Sequence, residues 1–438
     1  MRGSAAFRAG IAPGGVLAGP WVRNELWRRA RAVPRLDLRF ADNKSLVDAV
    51  TGQSLISFTR ASSGTFVGSD GLLKTATTNE ARFDHNPTTG ESLGLLVEEQ
   101  RTNLLLQSNQ FDTTWTNTSS SETAAAGTAP DGTNTAWELK DTLDTVATSH
   151  IISQQISFVS GTTYTVSVWM KAGTLSQGGI NFPSAAFGSV LANRINLSTG
   201  AVLASSAGLT TSVTPFPNEW YRITATATAT ATTSTSPQIR PMNGGISYIG
   251  TGTGTVLIWG AQVEAASFPT SYIPTTTAAA TRSADVASIT GANFSSWYRQ
   301  DEGTVFADYA ERAFNQTHQV VNISNGTTNE RIAMAINSSN VLDIGVISGG
   351  TDTFTGNTPT LTAQAYRIGF AYKSDSSGVS ANGSAVTDDS AVILPTVSQL
   401  DIGVRAGGGL QILNSTIRRL TFWPTRLPNA TLQQITQP

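Results

Sequence analysis

The chain has 438 residues, 13% charged side chains, a formal net charge of −2 and no cysteine. Disulfides, thiolate metal centres and cysteine nucleophiles are therefore excluded, and the near-neutral balance carries no electrostatic footprint for nucleic acid. The three histidines, His85, His150 and His318, are too scattered for a histidine metal cluster, and no apolar run reaches the roughly 20 residues of a membrane span.

The length predicts two or three domains. Charged residues are about half as frequent as the roughly 25% of an ordinary soluble protein, and Gly, Ser, Thr and Ala fill the difference. That mixture disfavours helices and suits sheets with tight turns. With 39% hydrophobic residues it can still build cores, so an all-β fold is expected.

Residues 1–40 form a basic arm, with eight arginines against Glu25 and Asp37, a local charge of +6. Gly and Pro interrupt its apolar stretches before a signal-peptide core forms. One short helix is predicted between Pro20 and Ala32. Trp21 and Trp27 with Arg23, Arg28, Arg29 and Arg31 are candidate anchoring residues, since a basic aromatic arm can order on a partner. Residues 41–105 read as a leader of short strands and turns, including Ile56-Ser-Phe-Thr-Arg60 and Leu93-Gly-Leu-Leu-Val-Glu98.

Residues 106–288 read as a β-sandwich. Thr163-Tyr-Thr-Val-Ser-Val-Trp-Met-Lys171 has the period-two pattern of a strand. Residues 194–203 read as a hairpin turning at Thr199-Gly200. The Thr/Ala alternation over 224–232 is read as one strand with alanines on one face and threonines on the other. Val256-Leu-Ile-Trp-Gly-Ala-Gln-Val-Glu264 is a buried strand, with Gly260 where another backbone comes close, and Pro274 turns the chain out of the sheet. Residues 289–438 read as a second sandwich. Residues 331–336 and 341–346 pair across 337–340. Residues 427–435 form a closing helix with Asn429 as N-cap and Leu432 and Ile435 facing the sheet.

Several of these motifs, in order, resemble a carbohydrate-binding-module-like jelly roll common in virion proteins of tailed bacteriophages. They are Asn103-Leu-Leu, Phe111 with Trp115, Ala129-Pro-Asp-Gly-Thr, Tyr164-Thr-Val-Ser-Val-Trp-Met-Lys-Ala172, Trp220-Tyr-Arg222, Trp259-Gly-Ala-Gln-Val-Glu264, Ser271-Tyr-Ile-Pro-Thr275 and Thr281-Arg with Ala284-Asp285. Leu36-Asp-Leu-Arg-Phe40 and Phe58-Thr-Arg-Ala-Ser62 resemble the leader that precedes this module in phage proteins. Residues 300–438, through Ile417–Leu427 and the Ala381-Asn-Gly383 turn, are similar to concanavalin/laminin-G-like sandwiches.

The candidate sites follow. Trp115, Trp297 and Tyr298 lie in loop-like sequence and are the candidate glycan platforms, because sugars dock on exposed aromatic faces. Most of the other rings of this sandwich read as core, with Trp169 and Trp259 inside apolar strands. A glycosidase needs two carboxylates across a sugar site. Glu98 and Glu99 point to opposite faces if they lie in a strand, and Glu264 reads as a turn-bonded carboxylate, so no catalytic residue is assigned. The laminin-G-like resemblance allows Ca²⁺ through Asp343, Asp375, Asp388, Asp389 or Asp401. Their spacing equally fits solvated turns, so no cofactor is assigned. Asn117, Asn196, Asn322 and Asn325 head Asn-X-Ser/Thr triplets, which carry little weight in a bacterial host.

The resemblance implies a non-enzymatic virion component, assembled in a bacterial cytoplasm. The expected role is a tail fibre or spike anchored by its arm to other virion proteins. It would bind host surface polysaccharide as a homo-oligomer, a trimer in the leading case, with no nucleic-acid partner and no membrane insertion. The alternatives are a head decoration or collar protein that binds only virion proteins, and a polysaccharide depolymerase.

Overall fold

A computed structural model describes residues 25–310, 317–357, 365–405 and 411–438. The fold is all-β with a few short helices. The chain divides into two compact units, one formed by residues 59–92 and 98–285, the other by residues 1–58, 93–97 and 286–438.

The unit holding residues 98–285 is a sandwich of two antiparallel sheets. One sheet runs in the order Thr210–Phe216, Trp220–Thr228, Thr163–Ala172, Thr255–Glu264, Ala136–Asp141 and Ser120–Gly127. The other runs Val202–Ser205, Leu191–Asn196, Gln177–Phe182, Gln238–Met242, Ile151–Ser153 and Thr116–Thr118. Val166, Val168 and Met170 face the inner core with Ile180, Phe182 and Ile239. Trp169, on the opposite face of the same strand, packs with Trp259, Tyr272, Val67 and Leu73 in a second core. Both faces of the Thr163–Ala172 strand are thus covered, which is why its apolar run is nearly continuous.

The Thr/Ala segment behaves as its alternation predicts, although the strand ends at Thr228. Ala225 and Ala227 enter the inner core. On the other face Thr226 meets the Thr165 hydroxyl at 2.7 Å and Thr228 meets Thr163 at 2.8 Å, cross-strand hydroxyl pairs that fix register. Gly260 is a correction. It has φ +62°, and a Cβ there would lie 2.9 Å from the Trp169 ring, so the close approach is an indole and not a backbone.

An ionic network ties the leader residues to this sandwich. Arg82 bridges Glu98 at 2.8 Å and Asp285 at 2.5 Å, Arg60 reaches Asp285 at 3.1 Å, and Arg282 pairs with Glu98. Ser271 donates its backbone N–H and its hydroxyl to Glu98 at 2.8 and 2.7 Å. All five charged side chains are buried. Burial alone would raise the Glu98 carboxyl, but Arg282, Arg82 and Ser271 hold it well below the usual range.

The second unit pairs two sheets whose inner faces meet, with Phe354 and Phe370 5.4 Å apart. One sheet contains Val286–Thr290, Gln399–Ile402, His318–Ser324, Arg331–Ile336, Leu342–Ser348 and Thr351–Asn357 in that order. The other contains Thr387–Asp389, Ser377–Ala381, Ala365–Lys373, Glu302–Ala310 and Ser415–Trp423, with Leu36–Leu38 also paired to Ser415–Trp423. Its outer face is closed by the helices Glu25–Ala30 and Asn429–Thr436. Leu26, Ala30, Leu432 and Ile435 pack there on Phe306, Ala371 and Trp423. Asn429 is the first helical residue and not the cap. Pro428 takes the N-cap position, and the Asn429 side chain instead joins Arg426 and Asp388.

Candidate functional site

The outer face of the sheet built on His318–Ser324 is polar, and its hydrogen-bonding capacity is only partly used. Register places Asp401, Asn322, Ala333 and Gly345 side by side on four adjacent strands. Gln319, Ala335 and Asp343 form the row on one side, and Gln399, Ser324 and Arg331 the row on the other. The inner face of the same strands carries Ile323, Ile332, Val346 and Leu400, all buried. A bulge between Gln319 and Val321 inserts one residue, so Gln319 and Asn322 share a face although they are three apart. The small Ala333, Ala335 and Gly345 form a strip between polar side chains, called the trough below, in which Asn322, Ser324, Gln319, Ala333 and Ala335 are themselves buried. A Cβ on Gly345 would meet only the Ile347 Cδ1 at 3.8 Å.

Asn322 is the floor of this trough. It is 0% exposed, and neither its Oδ1 nor its Nδ2 has a hydrogen-bond partner. Gln319 Oε1 and the Nε and Nη1 of Arg331 are also unpartnered. Such groups cost about 1–3 kcal/mol each when left unsatisfied, so this face holds unspent hydrogen-bonding capacity. Asp401 accepts from Gln399 Nε2 at 2.9 Å. Burial raises the Asp401 carboxyl above its ordinary value, against that bond. Burial and the neighbouring Asp352 raise Asp343, with Arg331 opposing. Arg331 is itself lowered, by burial and then by Arg405. The trough therefore offers donors and acceptors of both signs.

Comparisons with known proteins give only distant likenesses. No protein-family model matches the chain, and no curated protein sequence does. Among solved structures it is similar to the CBM40 of Ruminococcus gnavus IT-sialidase bound to α2,3-sialyllactose, at 17% identity over 32% of this chain and 84% of that one, TM-score 0.29. A heptameric SAP-like pentraxin from Limulus polyphemus matches at 16% identity over 31% of this chain and 70% of that one, TM-score 0.25. A leech intramolecular trans-sialidase matches at 18% identity over 32% of this chain and 23% of that one, TM-score 0.28.

Of the aromatic platforms expected from sequence, Trp115 and Trp297 are not available as surfaces, and Tyr298 is half-buried. Trp115 is buried against Phe111, ring centroids 4.8 Å apart, and donates its indole N–H to the Gln107 carbonyl at 3.1 Å. Trp297 is buried against Phe294 and Phe422, and Tyr298 lies over the Phe294 ring at 4.5 Å. Burial pushes the Tyr298 phenol up. Loop-like sequence does not mean an exposed ring, because a large aromatic in a short connection gains most by folding back onto the core.

The anchoring candidates divide three ways. Trp21 and Arg23 lie outside the described residues. Trp27 is buried, donates its indole N–H to Asp37 Oδ2 at 3.0 Å and has the Arg39 guanidinium 5.3 Å from its ring centroid. It is therefore occupied within its own unit and not free to grip a partner. Arg29 pairs with Glu25 at 2.7 Å. Arg28 and Arg31 are exposed.

Arg29 also lines a cavity of about 270 Å³ with Glu25, Arg39, Asp308, Arg367 and Arg419. Most of its charges are already matched. Arg39 and Arg419 both reach Asp37 at 2.7 Å, and Arg367 reaches Asp308 at 3.2 Å. Burial raises Asp308 despite Arg367. The trough has more unspent hydrogen bonds than this cavity, and we take the trough as the site.

The carboxylates considered for catalysis have structural partners. Glu98 belongs to the ionic network and Glu99 pairs with Arg101. Glu264 is buried and accepts from the Thr270 N–H at 3.0 Å and the Thr270 hydroxyl at 2.6 Å. Among the described residues no group of three metal-ligating side chains converges. Of the aspartates weighed for Ca²⁺, Asp343 and Asp401 lie in the trough, while Asp388 and Asp389 lie on the Thr387–Asp389 strand. Sequence reasoning missed Asn322, Gln319 and Arg331 as site residues. The usable signal was the pair of amides in His318-Gln-Val-Val-Asn-Ile-Ser324, which only the bulge brings to one face.

Proposed function

We propose that this protein is a non-catalytic, glycan-binding component of a tailed-phage particle, with the trough around Asn322 as its glycan site. The observation that carries the glycan reading is that trough. An amide with no partner, an incompletely satisfied arginine and two carboxylates lie around small residues on a rigid sheet, matching the donors and acceptors of sugar hydroxyls. The virion setting rests on the ordered motifs between Asn103 and Asp285. A homo-oligomer, with a trimer in the leading case, would multiply a weak single contact by avidity.

One observation favours a second reading, a decoration or collar protein that binds only virion proteins. No aromatic ring among the described residues is exposed, so the usual stacking surface for sugars is missing there.

The deciding experiment measures binding of purified protein to bacterial cells and to immobilised surface polysaccharides, comparing wild type with Gly345→Leu. That side chain would fill the trough without entering the core. Glycan binding lost in Gly345→Leu, with the melting curve retained, supports the proposal. Glycan binding unchanged by Gly345→Leu overturns the trough as its site. Binding to virions alone overturns the glycan role in favour of the second reading.

A further inference from the structure

The unit of residues 98–285 carries a different polar sheet face. The outer face of its Gln177–Phe182 sheet presents Gln177, Asn181, Arg194, Gln238 and Arg240 across three neighbouring strands, with no carboxylate among them. Arg240 is only 6% exposed. Its Nε donates to Gln238 Oε1 at 3.1 Å, its Nη2 donates to the same oxygen, and its Nη1 donates to Ser149 Oγ at 3.0 Å and the Ile246 carbonyl at 3.2 Å. Every acceptor is neutral. Burial alone, with no carboxylate nearby to oppose it, lowers Arg240 to about 10.

This differs from Arg60, Arg82 and Arg282 of the same unit, which each reach a carboxylate. A desolvated cation without a counter-ion is costly. Two further groups on this face are unspent. Asn181 is 1% exposed and its Oδ1 has no partner, although its Nδ2 donates to Gln238 at 2.8 Å; the Nε of Arg194 is likewise unpartnered. The Arg194 and Arg240 strands flank the Gln177–Phe182 strand, which sets their backbones about 9–10 Å apart. Gly179 lies between them, and a Cβ there would strike the Asn193 carbonyl oxygen at 2.3 Å. At Gly179, between Arg194 and Arg240, the floor therefore carries no side chain.

We infer that this face is an anion subsite that takes the carboxylate or sulfate of an acidic saccharide, with Arg240 as the buried charge and Arg194 as the outer one. A planar guanidinium suits such an oxyanion. The inference rests on the glycan-binding reading and adds a ligand class at a second place.

The test measures affinity for immobilised polygalacturonate, dextran sulfate and neutral dextran at two salt concentrations. Wild type is compared with Arg240→Gln, Arg194→Gln, Gly345→Leu and the exposed control Lys373→Gln. Melting curves are recorded for each variant. We expect both polyanions to bind wild type more tightly than dextran. Arg240→Gln should weaken polyanion binding about tenfold or more, and Arg194→Gln, whose side chain is half-buried and tolerant, by less. Lys373→Gln should leave it unchanged. The two polyanions tell carboxylate from sulfate preference.

Equal polyanion binding by wild type and by well-folded arginine variants overturns the subsite, and so does an equal loss in Lys373→Gln. If Arg240→Gln fails to fold, Arg194→Gln decides alone. If cell-surface glycans bind while polyanions do not, this inference falls and the glycan reading stands. If no glycan binds at all, both fall.

Discussion

At the scale of single residues, the largest effects sit where charge is buried. Replacing Glu98 by Gln leaves Arg82 and Arg282 desolvated and short of a partner. The expected loss is about 3–5 kcal/mol, read by urea unfolding followed through tryptophan fluorescence. Because the folded Glu98 is depressed, its stabilisation is fully present above the ordinary glutamate range and is lost as pH falls toward its folded value. Asp401 has the opposite sign. Burial raises it, so the folded state binds its proton more tightly than the unfolded chain does, and stability falls as pH rises through the folded value. Asp401→Asn should therefore melt higher than wild type at pH 7, with the gain shrinking below the ordinary carboxylate range. The same change should weaken glycan binding in the trough. A variant that melts lower at pH 7 would show that the charged form is stabilised in the fold.

At the scale of elements, the alternation in Trp220–Thr228 gives a paired prediction. Ala225→Leu pushes extra methylenes into a closed core and should cost about 1–3 kcal/mol. Thr228→Val, on the exposed end of the other face, should stay within about 0.5 kcal/mol. Equal effects in thermal unfolding would mean that the two faces are not distinguished. This strand was legible from sequence because its period was intact along its length. The same holds for Arg331–Ile336 with Leu342–Ser348, whose register runs as the sequence suggests, and for the turn at Gly200, which has φ +75°. The His318–Ser324 strand was not legible. Its bulge breaks the period of two, and a period is all that a single strand offers before its partners are known.

At the scale of the whole molecule, the basic arm is in part a structural piece of the unit that holds residues 286–438. Leu26 and Ala30 lie in a core with Trp423 and Leu432, and the Trp423 indole donates to the Ala32 carbonyl at 3.0 Å. Trp27→Ala should cost about 3–5 kcal/mol, and deletion of residues 1–35 should lower the melting temperature of that unit. An unchanged melting curve would show that the helix Glu25–Ala30 docks without contributing. Deleting the arm is therefore a poor test of virion docking. Reversing the exposed Arg28 and Arg31 to Glu probes docking without opening the core.

By itself the sequence determined the all-β class, most strand positions and the motif order behind the phage-module resemblance. Each of these depends on local periodicity or on residues close together in the chain. Tertiary structure decided what the motif residues do. Arg60 and Asp285 meet across 225 positions, and that separation leaves no periodic trace. It also decided that Trp115 and Trp297 are core, and that Asn322, read from sequence only as the head of an Asn-X-Ser triplet, floors a trough. Whether a polar side chain is satisfied depends on which atoms neighbouring strands bring to it, and that is set by register and bulges rather than by residue type.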